Sequence, residues 1–537
     1  MIYLSLNLAL QEGIKQNCIM KPFKTLLFLI FTFLLLAILS YFFPIQGIRI
    51  GSDLLLRFPR LETIIINENN AHADISGIIE QYQIEPLDTI FESDTLEFVS
   101  DSIEFVPDSI TSKYLTDTIS KSAEMKPDKK AILPGSVKQK LEYPNNNRNV
   151  LFTFFESLHN LKTSNDLIRI LHYGDSQIEG DRISSYIRKE LQREFGGSGI
   201  GLFPAVIIQG TTISVDQKLS GSWDRYTIQS IRNGNIYHKR LGALMSFSRF
   251  APVIQQENTM CSAEITLRKS SNTYLNTRKF KNLKIYYGYN EKPFIAELKY
   301  KNQTLDAELI SVTKQLSTIS WKIDNSVDEL TIHFKGEDSP DIYAMALDDF
   351  KGIAVDNIPL RGSSGTDFTK TDLAFFRSMY QKLNVKLVLL QFGVNLVPHI
   401  VSDYSYYEKQ LEKQLKTIKS LRPDISIIVI GVSDMSRNEG GKYVSYPNIE
   451  KIREAQKNAA FKSDCAFWDT YQAMGGINSM PAWVYADPPL ARTDFTHFTW
   501  KGSTVIAKMF FDALMSDYNY YLQQTTEQIQ PNTNEIN

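Results

Sequence analysis

Leu167-Ile168-Arg169-Ile170-Leu171-His172-Tyr173-Gly174-Asp175-Ser176 is the stretch on which the fold turns. It is a short apolar run without strict alternation, stopped by a glycine, as expected of a strand buried on both faces. From Asp181 to Phe195 the spacing changes: Ile183, Ile187 and Leu191 share one helical face, while Arg188, Glu190 and Arg193 lie elsewhere. Strand, sharp turn and amphipathic helix follow one another. The same grammar returns later, with Val385–Phe392 as a buried strand, Tyr404–Leu421 as a helix and Ile425–Val432 as another strand. A helix-like stretch, Leu151 to Leu161, precedes the first strand. Alternating strands and helices predict an α/β domain with a central parallel sheet covered on both faces.

Between these halves, over about 206–350, short β-branched or alternating runs take over: Ser262–Arg268, Leu283–Tyr289, Ala296–Tyr300, Ser317–Ile323 and Glu329–Phe334. Turn signals such as Asn290-Glu291-Lys292-Pro293 and Asp324-Asn325 separate them, which predicts an antiparallel sandwich. The α/β domain is thus expected in two parts, 150–205 and 351–520, with a β-sandwich inserted at 206–350.

The 537 residues leave room for more than these, and 43% hydrophobic residues exclude disorder throughout. A formal charge of −2 gives no general attraction to nucleic acid. Cys18, Cys261 and Cys465 are too few and too scattered for a disulfide framework or a thiolate metal site. Thr25 to Phe43 carries no charge and follows Lys21 and Lys24, so residues 20–44 read as a signal anchor with the amino end in the cytoplasm. The bulky Ser40-Tyr41-Phe42-Phe43-Pro44 argues against cleavage; if it were cleaved, the protein would be secreted. Residues 45–149 read as a disordered acidic stalk, on the strength of repeats such as Asp94-Thr95-Leu96 and Asp108-Ser109-Ile110.

A serine on the turn between a strand and a helix exposes its hydroxyl above the sheet edge. Gly174-Asp175-Ser176 occupies such a turn. Near the carboxyl end, Asp494-Phe495-Thr496-His497 sits in a loop before a helix expected over Lys501–Met515; an Asp three residues before a His can orient its imidazole, freeing Nε2 to take a serine proton. Two glycine-bearing segments at strand ends, Asn357 to Gly365 and Gly393-Val394-Asn395, could supply donors to an oxyanion.

Taken in order, these four blocks resemble the SGNH (GDSL-like) hydrolase superfamily over about residues 150–515. With a β domain between the first two blocks, the chain is similar to the peptidoglycan O-acetylesterases of that superfamily, whose insert is like a carbohydrate-binding jelly roll. The resemblance implies a three-layer fold, Ser176 as nucleophile, His497 as general base and then acid, and Asp494 as its orienter. It implies an oxyanion hole of the Ser176 and Gly362 N–H groups and the Asn395 side chain, with Gly365 as the alternative to Gly362. Gln177 departs from the leucine that names the GDSL group, and Leu396 stands where many members carry Asp. The implied function is removal of O-acetyl groups from a cell-envelope polysaccharide, peptidoglycan foremost, in the periplasm and without metal or cofactor. Its rivals are an O-acyltransferase using the same triad and a catalytically silent glycan binder. Arg361 could meet a glycan group or a loop carboxylate. Trp223, Tyr226, Tyr286, Tyr287 and Trp321 are the aromatics of the insert from which a sugar platform could be built.

Overall fold

The computed structural model describes residues 22–42, 48–50, 54–56, 72–82, 137–253, 259–301 and 303–529. The chain divides into two compact units, Met1–Ala71 with Asn438–Tyr443, and His72–Arg437 with Val444–Asn537.

The larger unit holds five parallel strands, β1 (Leu167–Gly174), β2 (Gly352–Pro359), β3 (Val385–Gln391), β4 (Ser426–Ile430) and β5 (Ala466–Trp468). Their order across the sheet is β2-β1-β3-β4-β5. Helices α1 (Ser184–Phe195), α2 (Leu373–Lys382), α3 (Ser405–Leu421), α4 (Ile449–Lys462) and α5 (Trp500–Ile529) intervene or follow. Phe376 and Met379 of α2, Leu415 and Ile418 of α3, and Ile452 and Ala459 of α4 share one core with Val388, Leu390 and Val429 of the sheet. A doubly wound order that reverses between β1 and β3 opens a crevice at the carboxyl ends of those two strands. Ser176 follows one of them and Gly393 the other.

The insert is a pair of antiparallel sheets. One is ordered 303–310, 294–300, 329–336, 261–269 and 215–220, the other 317–322, 282–288, 341–348, 246–249 and 224–227. Alternation works as read from sequence: Ile285 and Tyr287 face Ile265, Phe294 and Ile332 inside the sandwich, while Tyr286 between them packs into the α/β core. Because the second sheet is covered on both sides, Asp341–Asp348 is buried throughout. Tyr286, Tyr287 and Trp321 are core residues, and Trp223 sets its ring edge-on to Phe250 and Phe334.

Four expected extents need correction. The sandwich begins earlier than 206, since Gly201–Phe203 already pairs with Met345–Leu347; a three-residue strand leaves no periodicity to read. The stalk is expected to run to 149, but residues from Val137 onward are folded: Leu141 and Tyr143 are buried, and Glu142 bridges the edge residue Phe467 through two backbone hydrogen bonds of 2.8 and 2.9 Å. Residues 72–82, assigned to the stalk, are also placed, with a helix at Ser76–Gln81, Ile75, Ile78 and Tyr82 buried, and the His72 ring stacked on Tyr485 at 5.6 Å. The repeats at 88–119 lie outside the described residues. The last helix outruns its expected end at Met515, because Tyr518 and Tyr521 set their rings against Phe155 and Tyr518 also meets Phe195.

In the smaller unit, Pro22–Phe42 is helical and Ile48–Ile50 pairs with Leu54–Leu56 in an antiparallel hairpin. Leu26 to Phe31, Phe33 to Leu35 and Ile38 are exposed. Among the described residues no helix is long and apolar enough to cross a membrane. The anchor expected at 20–44 therefore finds no support among the described residues.

Candidate active site

The Ser176 turn is fixed from below. Gly174 has no alternative, because a Cβ there would lie 2.8 Å from the Gln391 carbonyl and 2.9 Å from the Ile178 side chain. Asp175 turns its buried carboxylate back, accepting from Gln177 N–H at 3.0 Å, Gly393 N–H at 3.0 Å and Val394 N–H at 3.3 Å. One carboxylate thus ties the serine turn to the segment after β3. Burial pushes Asp175 up to about 6, against the pull of these donors.

Above this turn, the Ser176 hydroxyl lies 2.8 Å from His497 Nε2, and His497 Nδ1 lies 2.8 Å from Asp494 Oδ2. Residues 321 positions apart in the chain are in direct contact. The other Asp494 oxygen accepts from the backbone N–H groups of Thr496 and His497, both at 2.9 Å. Burial raises the Asp494 carboxyl, but its bonds to the His497 ring and backbone outweigh that and hold it down at about 2. Phe495 makes the loop's sharp bend at φ +55°, a left-handed conformation uncommon outside glycine, and its buried ring meets Tyr485 edge-on. A neutral imidazole oriented in this way can accept the serine proton.

The sign of one pH effect follows. The folded carboxyl of Asp494 titrates below its ordinary value of 3.8, so its contribution to stability is present above about pH 4 and is lost as pH falls toward 2. Asp494→Asn should therefore flatten the fall of Tm over that window, which scanning calorimetry from pH 2 to 7 would show; a parallel loss in both proteins would contradict it.

The candidate oxyanion donors lie in the same crevice. Leu360 N–H donates to the Gly174 carbonyl at 2.7 Å and Ser363 N–H to Leu360 at 3.0 Å, which makes 360–363 a tight turn with Gly362 at φ +75°. Asn395 Nδ2 donates to the Ser363 carbonyl at 3.0 Å, leaving its second amide proton for a ligand. Gly365 donates its N–H to Ser363 Oγ at 3.1 Å, which leaves Gly362 the better candidate of the two. Arg361 grips the buried Glu179 carboxylate with two bonds, at 2.6 and 3.0 Å, so it serves as the loop's ion-pair partner. Asn357 at the end of β2 accepts from Ser184 Oγ at 2.7 Å, and Ser184 in turn meets His172 Nδ1 at 2.8 Å.

Sequence reading missed Glu179, Arg182 and the depth of Asp175. Their long-range partners, the Arg361 guanidinium, the Phe498 carbonyl and the Gly393 and Val394 amides, come from distant segments and leave no mark in local spacing. Gln177 did carry a signal, as a polar residue where leucine was expected.

No protein-family model and no curated protein matches this sequence. Among solved structures, a peptidoglycan O-acetylesterase captured in action superposes with a TM-score of 0.55 at 21% identity, over 70% of this chain and 98% of that one. This chain shares the fold of that esterase. A family two carbohydrate esterase from Clostridium thermocellum, in complex with cellohexaose, aligns over 49% of this chain and 93% of its own at 9% identity and TM-score 0.23. A GDSL-like lipase from Parabacteroides merdae aligns over 30% and 74% at 17% identity and TM-score 0.24. Those two superpositions are too loose to bear on the argument.

Proposed function

We propose that this chain is a serine esterase of the SGNH type that removes O-acetyl groups from a cell-envelope polysaccharide, peptidoglycan foremost. The observation that carries the reading is the unbroken Ser176–His497–Asp494 relay at 2.8 Å per step. Ser176 Oγ attacks the ester carbonyl as His497 takes its proton; His497 returns that proton to the leaving sugar hydroxyl; water, deprotonated by His497, then releases acetate from Ser176. The developing oxyanion meets the N–H groups of Ser176 and Gly362 and the Asn395 amide.

The triad's exposure supports a bulky substrate. Asp494 is 46% exposed and His497 27%, so the site is open to a polymer rather than enclosed for an acyl chain. The likeness to a peptidoglycan O-acetylesterase over nearly all of that chain supports the choice of glycan. Placement in the cell envelope is part of the proposal and is supported by the likeness to a peptidoglycan O-acetylesterase.

The test is acetate release from O-acetylated peptidoglycan and from an aryl acetate, with glycan oligomers as competing acceptors. Free acetate unaffected by acceptor marks a hydrolase, whereas acetylated acceptor marks a transferase. Asn395→Ala should lower kcat on the aryl ester ~10²–10³-fold with a small change in KM, since an oxyanion donor acts in the transition state. Steady-state kinetics decide it, and an unchanged kcat would remove Asn395 from the site.

A further inference from the structure

Gln177, immediately after the nucleophile, is 2% exposed and cannot touch a substrate. Its backbone N–H belongs to the serine turn, bonded to Asp175. Its side-chain nitrogen donates in two directions, to Ser433 Oγ just beyond β4 at 3.0 Å and to the Thr496 carbonyl at 2.7 Å. Thr496 directly precedes His497. From the same turn, the buried Arg182 donates to the Ser176 carbonyl at 3.1 Å, to the Glu179 carbonyl at 2.8 Å and to the Phe498 carbonyl at 3.1 Å. The peptide carbonyls on either side of His497 are thus held by side chains of the nucleophile's own turn.

Besides these, Ser436 N–H donates to the Phe495 carbonyl at 3.0 Å, and the loop is braced internally. Asp494 binds Thr496 and His497, and Arg492 N–H binds the His497 carbonyl at 2.8 Å. They set the loop's shape and leave its distance from Ser176 to other contacts. We propose that Gln177 is a positioning residue that holds the imidazole of His497 in register with Ser176, a task an apolar leucine at this place could not perform. The proposal rests on the serine-esterase reading. A leucine fills the space without donating; a glutamate fills it as an acceptor facing a carbonyl, and becomes a donor only when protonated.

The test compares the full-length protein with Gln177→Leu and Gln177→Glu, by aryl-acetate kinetics from pH 5 to 9 and by the low-field proton resonance of the His497 Nδ1–H bond. Both variants should lose ~10–100-fold in kcat at pH 8 with KM within about threefold, the size expected of a small misplacement of reacting groups. The His497 resonance should broaden or move in both. Relative to wild type, Gln177→Glu should recover as pH falls and its carboxyl gains a proton, while Gln177→Leu should not, a contrast that loss of packing alone would not produce. Wild-type kcat, pH profile and resonance in Gln177→Leu would overturn the proposal. Should the wild type hydrolyse no ester, the esterase reading fails, and the resonance alone decides whether Gln177 positions His497.

Discussion

Ser176→Ala is expected to abolish ester hydrolysis, lowering kcat ~10⁴–10⁶-fold, because in the proposed mechanism it removes the atom that forms the acyl-enzyme. Among the described residues the Ser176 hydroxyl is hydrogen bonded only to His497, and it is partly exposed, so stability should change by less than about 0.5 kcal/mol. The pairing of a dead enzyme with an intact fold is the diagnostic result, read by aryl-acetate kinetics beside thermal unfolding. Because triad members act as a unit, Ser176→Ala with His497→Ala should be hardly worse than either alone. Additive losses would mean that the two residues do not share a step.

The second large effect lies away from the chemistry, at the join between the α/β sheet and the insert. Arg169 in β1 is buried, with one guanidinium nitrogen on Asp348 of the insert and the other on Asp356 of β2 at 2.9 Å. Asp356 accepts the Leu202 N–H at 2.7 Å as well, so this cluster ties the sheet to both ends of the sandwich. Although burial opposes the charge, the two carboxylates keep Arg169 protonated well above its ordinary value. Arg169→Met strands two buried carboxylates and should cost about 3–5 kcal/mol. Denaturant unfolding would measure it. Adding Asp356→Asn should restore part of the loss, because the partners are coupled; a double variant as weak as the sum of the single ones would contradict the role assigned here.

Arg169 also shows what a sequence can disclose. A charge in the middle of a doubly buried strand must have a partner, so the need for a counter-ion was legible in Leu167–Tyr173, but the identity of Asp348 and Asp356 was not. Strands and helices were legible wherever burial imposes a local period: the five sandwich runs read from sequence end within two residues of the observed strands. Where contacts with distant chain decide structure, the reading fell short. Pro144 and its neighbouring asparagines look like linker until Glu142 is seen paired with Phe467, and the last helix is continued by tyrosines whose partners lie some 360 residues earlier. The triad was legible because Asp494 and His497 are local and because four blocks in order resemble a known family. Its fastening by Gln177 and Arg182 joins two loops remote in sequence and emerges only when they are brought together.

The most direct measurement is acetate released from O-acetylated peptidoglycan by the full-length protein and by Ser176→Ala. The account predicts steady release by the wild type and none above background by the variant. Equal release by both, or none by either, would contradict it.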